Sequence, residues 1–166
     1  MRVSTRIRIG RWNFYASLGR VQTVTGISSK LKNGLHIVMW DFDRAPLNKL
    51  ERSLKTIQDV FQLGEIQIFG DGKPDSYRAV CYSQVDFLEL LKILITTPYV
   101  DETYILMTAR KGQATVRVGP KINRGKQVIV SIVPGRVEPP PDEVTLWLYE
   151  TGLDKDVLRL GPILRA

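Results

Sequence analysis

Cysteine and histidine occur once each in the 166 residues, as Cys81 and His36. A single cysteine excludes an internal disulfide framework and any thiolate zinc site. A single histidine excludes motifs built on His pairs, including the two-His cluster of rolling-circle nucleases. Long apolar runs are also missing, and none approaches the roughly 18–20 residues of a membrane span. The N-terminal stretch is basic without a continuous apolar segment, so no signal peptide is expected. Cysteine usage points to a reducing, cytoplasmic setting, and any metal would rest on oxygen ligands. At 43% hydrophobic and 25% charged residues, the composition is that of a globular chain with a proper core.

Acidic residues are missing from two long segments. Residues 1–40 hold Arg2, Arg6, Arg8, Arg11, Arg20, Lys30 and Lys32 and no acid; residues 103–137 hold Arg110, Lys111, Arg117, Lys121, Arg124, Lys126 and Arg136 and no acid. The rest is acidic, and the net charge is +7. Two basic segments around an acidic middle are a footprint for a polyanion, since each phosphate neutralised releases counterions. Arg6, Arg8, Arg11, Arg124 and Lys126 are the expected nucleic-acid contacts. A solubilising surface, or a scaffold for an acidic partner, is the alternative.

Hydrophobic periodicity organises the chain. Residues 2–9 alternate as a strand, with Arg20–Thr25 as its expected partner and a turn at Leu18-Gly19. Leu35–Asp43 has the apolar density of a buried strand. Ala45-Pro46 opens a helix carrying Leu47, Leu50, Leu54, Ile57 and Phe61, which Gly64 ends. Strands at Glu65–Phe69 and Ser76–Tyr82 flank a Gly-Asp-Gly-Lys-Pro-Asp turn. Ser83 and Asp86 look like an N-cap pair for a helix that stops before Pro98. Strands are expected at Tyr104–Thr108, Ala114–Val118 and Gln127–Val133. The stretch 138–142 reads as a stiff proline linker, and 143–166 as an appendage packing back on the core through Val144–Tyr149 and Val157–Leu164. The expected fold class is therefore α+β: a β-α-β-β-α-β core of the ferredoxin or RNA-recognition-motif (RRM) type, with an antiparallel sheet and extra terminal strands. Residues 1–137 form one domain with its core at about 35–133. Both helices would cover one sheet face and leave the other open.

Chemistry is expected on that open face. Asp41 and Asp43 alternate with Trp40 and Phe42, so the two carboxylates share a side. Their mutual repulsion would be relieved by Mg²⁺ or Mn²⁺. Alternatively, both acids cap the following helix and pair with Arg44. Ser76 and Arg78 share a face and suit a nucleotide's phosphates, or Arg78 balances Asp71 or Asp75. Residues 108–121 read as a basic hairpin offering Arg110, Lys111, Arg117 and Lys121 to a template backbone or nucleotide phosphate. Asp101, before a strand, reads as a turn residue. Trp12, Phe14 and Tyr15 either stack bases or belong to the core. His36 and Cys81 read as core residues, and Gly119–Lys126 lacks the spacing and the Ser/Thr of a phosphate loop.

The order of these parts resembles the archaeo-eukaryotic primase superfamily, with plasmid and phage primase-polymerases as the nearest type. The likeness covers about residues 35–121. It rests on Trp40-Asp41-Phe42-Asp43, on Ser76-Tyr77-Arg78 (Arg where the family has His), and on Val100-Asp101 followed by a basic segment. It implies that Asp41, Asp43 and Asp101 coordinate Mg²⁺ or Mn²⁺ for nucleotidyl transfer, with Ser76 and Arg78 touching the nucleotide's phosphates. It further implies a single-stranded DNA or RNA template and nucleoside triphosphates as partners, a helicase or other replication protein as a further one, and no membrane. A non-catalytic nucleic-acid-binding or replication-initiation module on the same fold is the alternative. A haloacid-dehalogenase-type phosphohydrolase, suggested by Asp41-Phe42-Asp43 and Gly70-Asp71, needs parallel strands with crossover helices. Here strands 65–69 and 76–82 are joined by a turn.

Overall fold

A computed structural model describes residues 3–18, 21–119, 125–141 and 146–152; for 3–6, 8, 12, 14–18, 21–24 and 146–152 it describes the backbone alone. The described residues form an α+β structure with antiparallel sheets and three helices. They divide into a larger compact unit, 25–147, and a smaller one from the residues on either side of it.

The larger unit is built on a four-stranded sheet of order β4-β6-β5-β8: β4 (His36–Asp43), β6 (Ser76–Val85), β5 (Ile66–Gly70) and β8 (Val128–Val133). Its pairings are all antiparallel, as the short β5–β6 turn requires. Helix α1 (Leu47–Phe61) starts after Pro46, whose fixed φ suits a helix entrance. It buries Leu50, Leu54 and Ile57, spaced three and four apart, in the core that holds Trp40, Phe42, Ile66 and Ile68. Each such side chain contributes about 1.5–3 kcal/mol by leaving water.

The helix stops at Gln62, in the left-handed conformation, two residues before the expected Gly64. Gly64 is needed for a close approach instead, because a Cβ there would sit 2.6 Å from the Arg136 carbonyl oxygen. Helix α2 (Phe87–Thr96) is capped by Asp86, whose side chain accepts from Glu89 N–H at 2.8 Å. Ser83, expected to share that cap, lies within β6, where its hydroxyl accepts from Gly64 N–H at 2.7 Å. Trp40 is fully buried and donates its indole N–H to Thr97 Oγ1 at 3.1 Å, fastening β4 to the end of α2.

The expected strand at Tyr104–Thr108 is instead part of a helix, α3 (Glu102–Lys111). Asp101 caps it, accepting from Thr103 N–H at 2.7 Å, and Gly112 closes it at φ 68°. Caps at both ends outweigh the strand-like run Tyr-Ile-Leu-Met-Thr. The basic hairpin expected at 108–121 is thereby replaced by the end of α3 and β7 (Thr115–Arg117). Strand β7 pairs with β3 (Val21–Ser28), from Gly26↔Arg117 to Ser28↔Thr115.

In the smaller unit, β1 (Val3–Ile9) pairs with β2 (Trp12–Leu18) through a turn at Gly10-Arg11. Gly10 takes φ 61°, which closes the hairpin directly after Ile9 and displaces the expected pairing with Arg20–Thr25. Strand β9 (Leu146–Gly152) covers most of the expected Val144–Tyr149 piece. Val157–Leu164 lies outside the described residues.

Candidate functional site

Register brings the predicted residues together. Asp41 faces Arg78 across β4 and β6, and Asp43 faces Ser76. Arg78 Nε lies 3.4 Å from Asp41 Oδ1, and Ser76 Oγ donates to Asp43 Oδ1 at 3.1 Å. Lys73 Nζ stands 4.0 Å from the same Asp43 oxygen. Neither acid caps α1, whose N-terminus has no side-chain cap. Both strands leave this end through left-handed non-glycine residues, Arg44 at φ 61° and Asp75 at φ 56°, a conformation that L-residues adopt at a cost. Ala45 N–H donates to the Asp75 carbonyl at 3.1 Å and ties the two exits together.

The third expected element arrives from far along the chain. Val100 bridges Phe42 on β4, and Asp101 N–H donates to the Asp41 carbonyl at 3.0 Å. Asp41 therefore feels both Asp43 and Asp101. Burial raises its carboxyl pKa first, Arg78 opposes that rise, and the two neighbouring carboxylates add to it. Tyr104 donates its hydroxyl to the Met39 carbonyl at 3.0 Å; burial first, then Asp41, holds the phenol well above its ordinary range.

The sheet face carrying these groups is open only at its rim, where Asp43 is exposed and Asp41 half-buried. Arg78 and Val80 are buried, and Ile27 of β3 with Val116 and Arg117 of β7 line a cavity of about 240 Å³ beside them, together with Phe69, Tyr82 and Gln127. Three of the cavity's lining residues, Arg78, Arg117 and Gln127, belong to a polar network. Asp71, at the end of β5, has a fully buried carboxylate that pairs with Arg117 and lies 3.8 Å from Arg78 Nη1. With the Gln127 amide turned so that its oxygen, not its nitrogen, faces the two guanidiniums, that oxygen accepts from Arg117 at 3.0 Å and from Arg78 at 2.8 Å. A second cleft, of about 520 Å³, lies at the opposite end of β6 and includes Phe61, Tyr82, Glu89 and Arg136 in its lining, but none of the expected site residues.

The remaining predicted contacts scatter. Arg110 and Lys111 are exposed in the last turn of α3, Lys126 is exposed before β8, and Arg11 is exposed in the β1–β2 turn. Arg117, expected to meet phosphate, is buried against Asp71. Lys121 and Arg124 lie outside the described residues, as do the side chains of Arg6, Arg8, Trp12, Phe14 and Tyr15. His36 and Cys81 are buried, His36 against Ser29 Oγ at 3.0 Å and the Phe87 ring. Asp71, expected only as an alternative partner of Arg78, does pair with it, while Lys73 and Gln127 join the site without having been expected there. In the sequence, only the turn chemistry around Asp71 gives any local signal.

The three acids offer carboxylate oxygens, the ligand type that hard divalent cations take, and Asp43 and Asp101 both raise the pKa of Asp41. Among the described residues, no three His, Cys, Asp or Glu side chains already converge on a common point. No protein-family model, curated protein or solved structure matches the chain. Among the described residues, no helix is long and apolar enough to cross a membrane.

Proposed function

We propose that this chain is a divalent-metal-dependent nucleotidyltransferase of the primase–polymerase kind, extending a strand on a single-stranded template from nucleoside triphosphates in the cytoplasm. The observation that carries this reading is the meeting of three sequence-distant segments at one end of β4. Asp101 bonds the Asp41 backbone, Arg78 faces Asp41, and Ser76 faces Asp43. We read the core as an RRM-like unit in which β4, α1, β5, β6 and α2 follow the expected order, and the Val100 bridge stands where a fourth strand would begin.

Asp41, Asp43 and Asp101 are the residues that would hold Mg²⁺ or Mn²⁺. The bound ion would supply Lewis-acid activation of the attacking hydroxyl and charge neutralisation on the departing pyrophosphate. The chain's own groups do the positioning. Arg78 is oriented by Asp41, Asp71 and Gln127, and its remaining guanidinium hydrogens suit a phosphate oxygen. Ser76 contributes a hydroxyl beside Asp43, and Lys73 a cation at the exposed rim.

A second reading, a nucleic-acid-binding module without chemistry, is favoured by one observation. The carboxylates already have structural partners: Asp41 with Arg78, Asp43 with Ser76, and Asp101 with the first turn of α3.

Nucleotide incorporation on a single-stranded template, with and without primer, in Mg²⁺ and in Mn²⁺, separates the two. Incorporation is expected in the native chain and is lost in Asp41→Asn and Asp43→Asn. The Asp41→Asn variant is expected to keep its fold at neutral pH, with Arg78 retaining Asp71 as a counterion, and circular dichroism checks this. The folded-state pKa of Asp41 is raised, so its ionised form opposes folding once pH exceeds the unfolded value, and the amide removes that penalty. Absence of incorporation, with salt-sensitive strand binding intact in both variants, assigns the binding module instead.

A further inference from the structure

Strand β8 is the outer strand of the four-stranded sheet, paired on one edge only among the described residues. Its side chains are unusually apolar for such a place. Val128 is 57% exposed, Ile129 51%, Val130 41% and Ile132 46%. Alternate N–H and C=O groups of an antiparallel edge strand point away from its one partner. A run of exposed β-branched residues beside such groups is a template for another strand, and soluble chains normally blunt it. Here the blunting is partial. The register slips between Ile68 and Phe69 of β5, leaving Val130 as a bulge, and Pro134 ends the strand.

Charge decides between occupants. The strand lies inside the acid-free segment 103–137, with exposed Lys126 before it and exposed Arg136 after it, the latter also bonded to Glu138. A second copy of this chain pairing antiparallel about the centre of β8 would bring Lys126 of each copy beside Gly135-Arg136 of the other. Lys126 then falls opposite Gly135 and diagonal to Arg136, and like charges that close across a strand pair oppose pairing. A segment with apolar residues in its middle and Asp or Glu at its ends instead places an acid beside Lys126 at one end and beside Arg136, which already holds Glu138, at the other.

We propose that the β8 edge is a docking site for an extended segment of a partner protein, apolar in the middle and acidic at both ends, which adds as a fifth strand. The site is on the opposite edge of the sheet from β4 and stands independently of the proposed chemistry.

The test uses the full chain and a synthetic peptide, Asp-Glu-Val-Thr-Ile-Thr-Val-Glu-Asp, with a control in which every acid is Lys. Binding is followed by fluorescence anisotropy of the labelled peptide and by amide hydrogen exchange of the protein. The acidic peptide is expected to bind, to protect amides of β8 from exchange, and to weaken with added salt. Ile132→Lys, at an exposed position, should weaken binding by at least about tenfold without altering the fold, since a buried apolar contact is replaced by an unpaired charge. Equal binding of the two peptides, protection elsewhere than β8, or no binding at millimolar peptide overturns the proposal. So does dimerisation of the chain through β8 that Ile132→Lys abolishes, which would make a second copy the occupant.

Discussion

Removing the Asp71 carboxylate tests how the candidate site is held in shape. Its side chain has no exposed surface, while the Arg78 and Arg117 side chains beside it are 10% and 5% exposed. Asp71→Ala leaves two guanidiniums near one another, out of water, with their shared anion gone. Deleting one partner of a buried ion pair costs about 3–5 kcal/mol. That is a large part of the roughly 5–15 kcal/mol that holds a domain of this size together. With a urea m-value of about 2 kcal/mol/M, the midpoint should fall by about 2 M. Arg117→Met removes one cation, leaves Asp71 with Arg78, and should cost less. The double variant then distinguishes a network from two separate packing defects. The two losses should fall short of additivity by more than about 1.5 kcal/mol, because the groups share one interaction. Urea unfolding of the four proteins, followed by circular dichroism, gives all the numbers. Additive losses, or a cost below about 1 kcal/mol for Asp71→Ala, would mean that Asp71 and Arg117 do not form such a network.

Two further predictions concern the core. Thr97→Val removes the acceptor of the buried Trp40 indole N–H while preserving shape, and should destabilise by about 1–3 kcal/mol; an unchanged urea midpoint contradicts this. His36 is held below its ordinary pKa of 6.5 by burial first and Lys30 second, with Asp86 opposing. Its neutral form is the one folded, so its contribution is fully present above the unfolded pKa and fades as pH falls through the folded one. Stability measured from pH 7 downward should drop in that window, and the drop should be smaller in His36→Gln.

The parts of the fold that announce themselves in the sequence are those set by local pattern. The leucine spacing of α1, the apolar density of β4 and the Asp86 cap of α2 each depend on neighbours a few residues away, and each is found close to where the pattern puts it. The strand alternation that places Asp41 with Asp43, and Ser76 with Arg78, also holds across the β4–β6 register. Tyr104–Thr108 misleads because its residues favour strands, although Asp101 and Gly112 already mark the two ends of a helix. Covering of the sheet face is not legible, because β3 and β7 are distant in sequence and only their pairing puts Arg117 over Arg78. The bond between Asp71 and Arg117 has the same origin: each looks ordinary in its own segment, one in a turn and the other on a basic strand.

The proposed chemistry requires Asp41, Asp43 and Asp101 to act as one cation-binding group. Titration of the full chain with Mn²⁺, followed by paramagnetic broadening of backbone amide signals, addresses it most directly. Broadening should centre on residues 41–43 and 100–102, and it should disappear in Asp41→Asn while the rest of the spectrum is unchanged. Broadening centred elsewhere, or persisting undiminished in Asp41→Asn, would contradict a shared site.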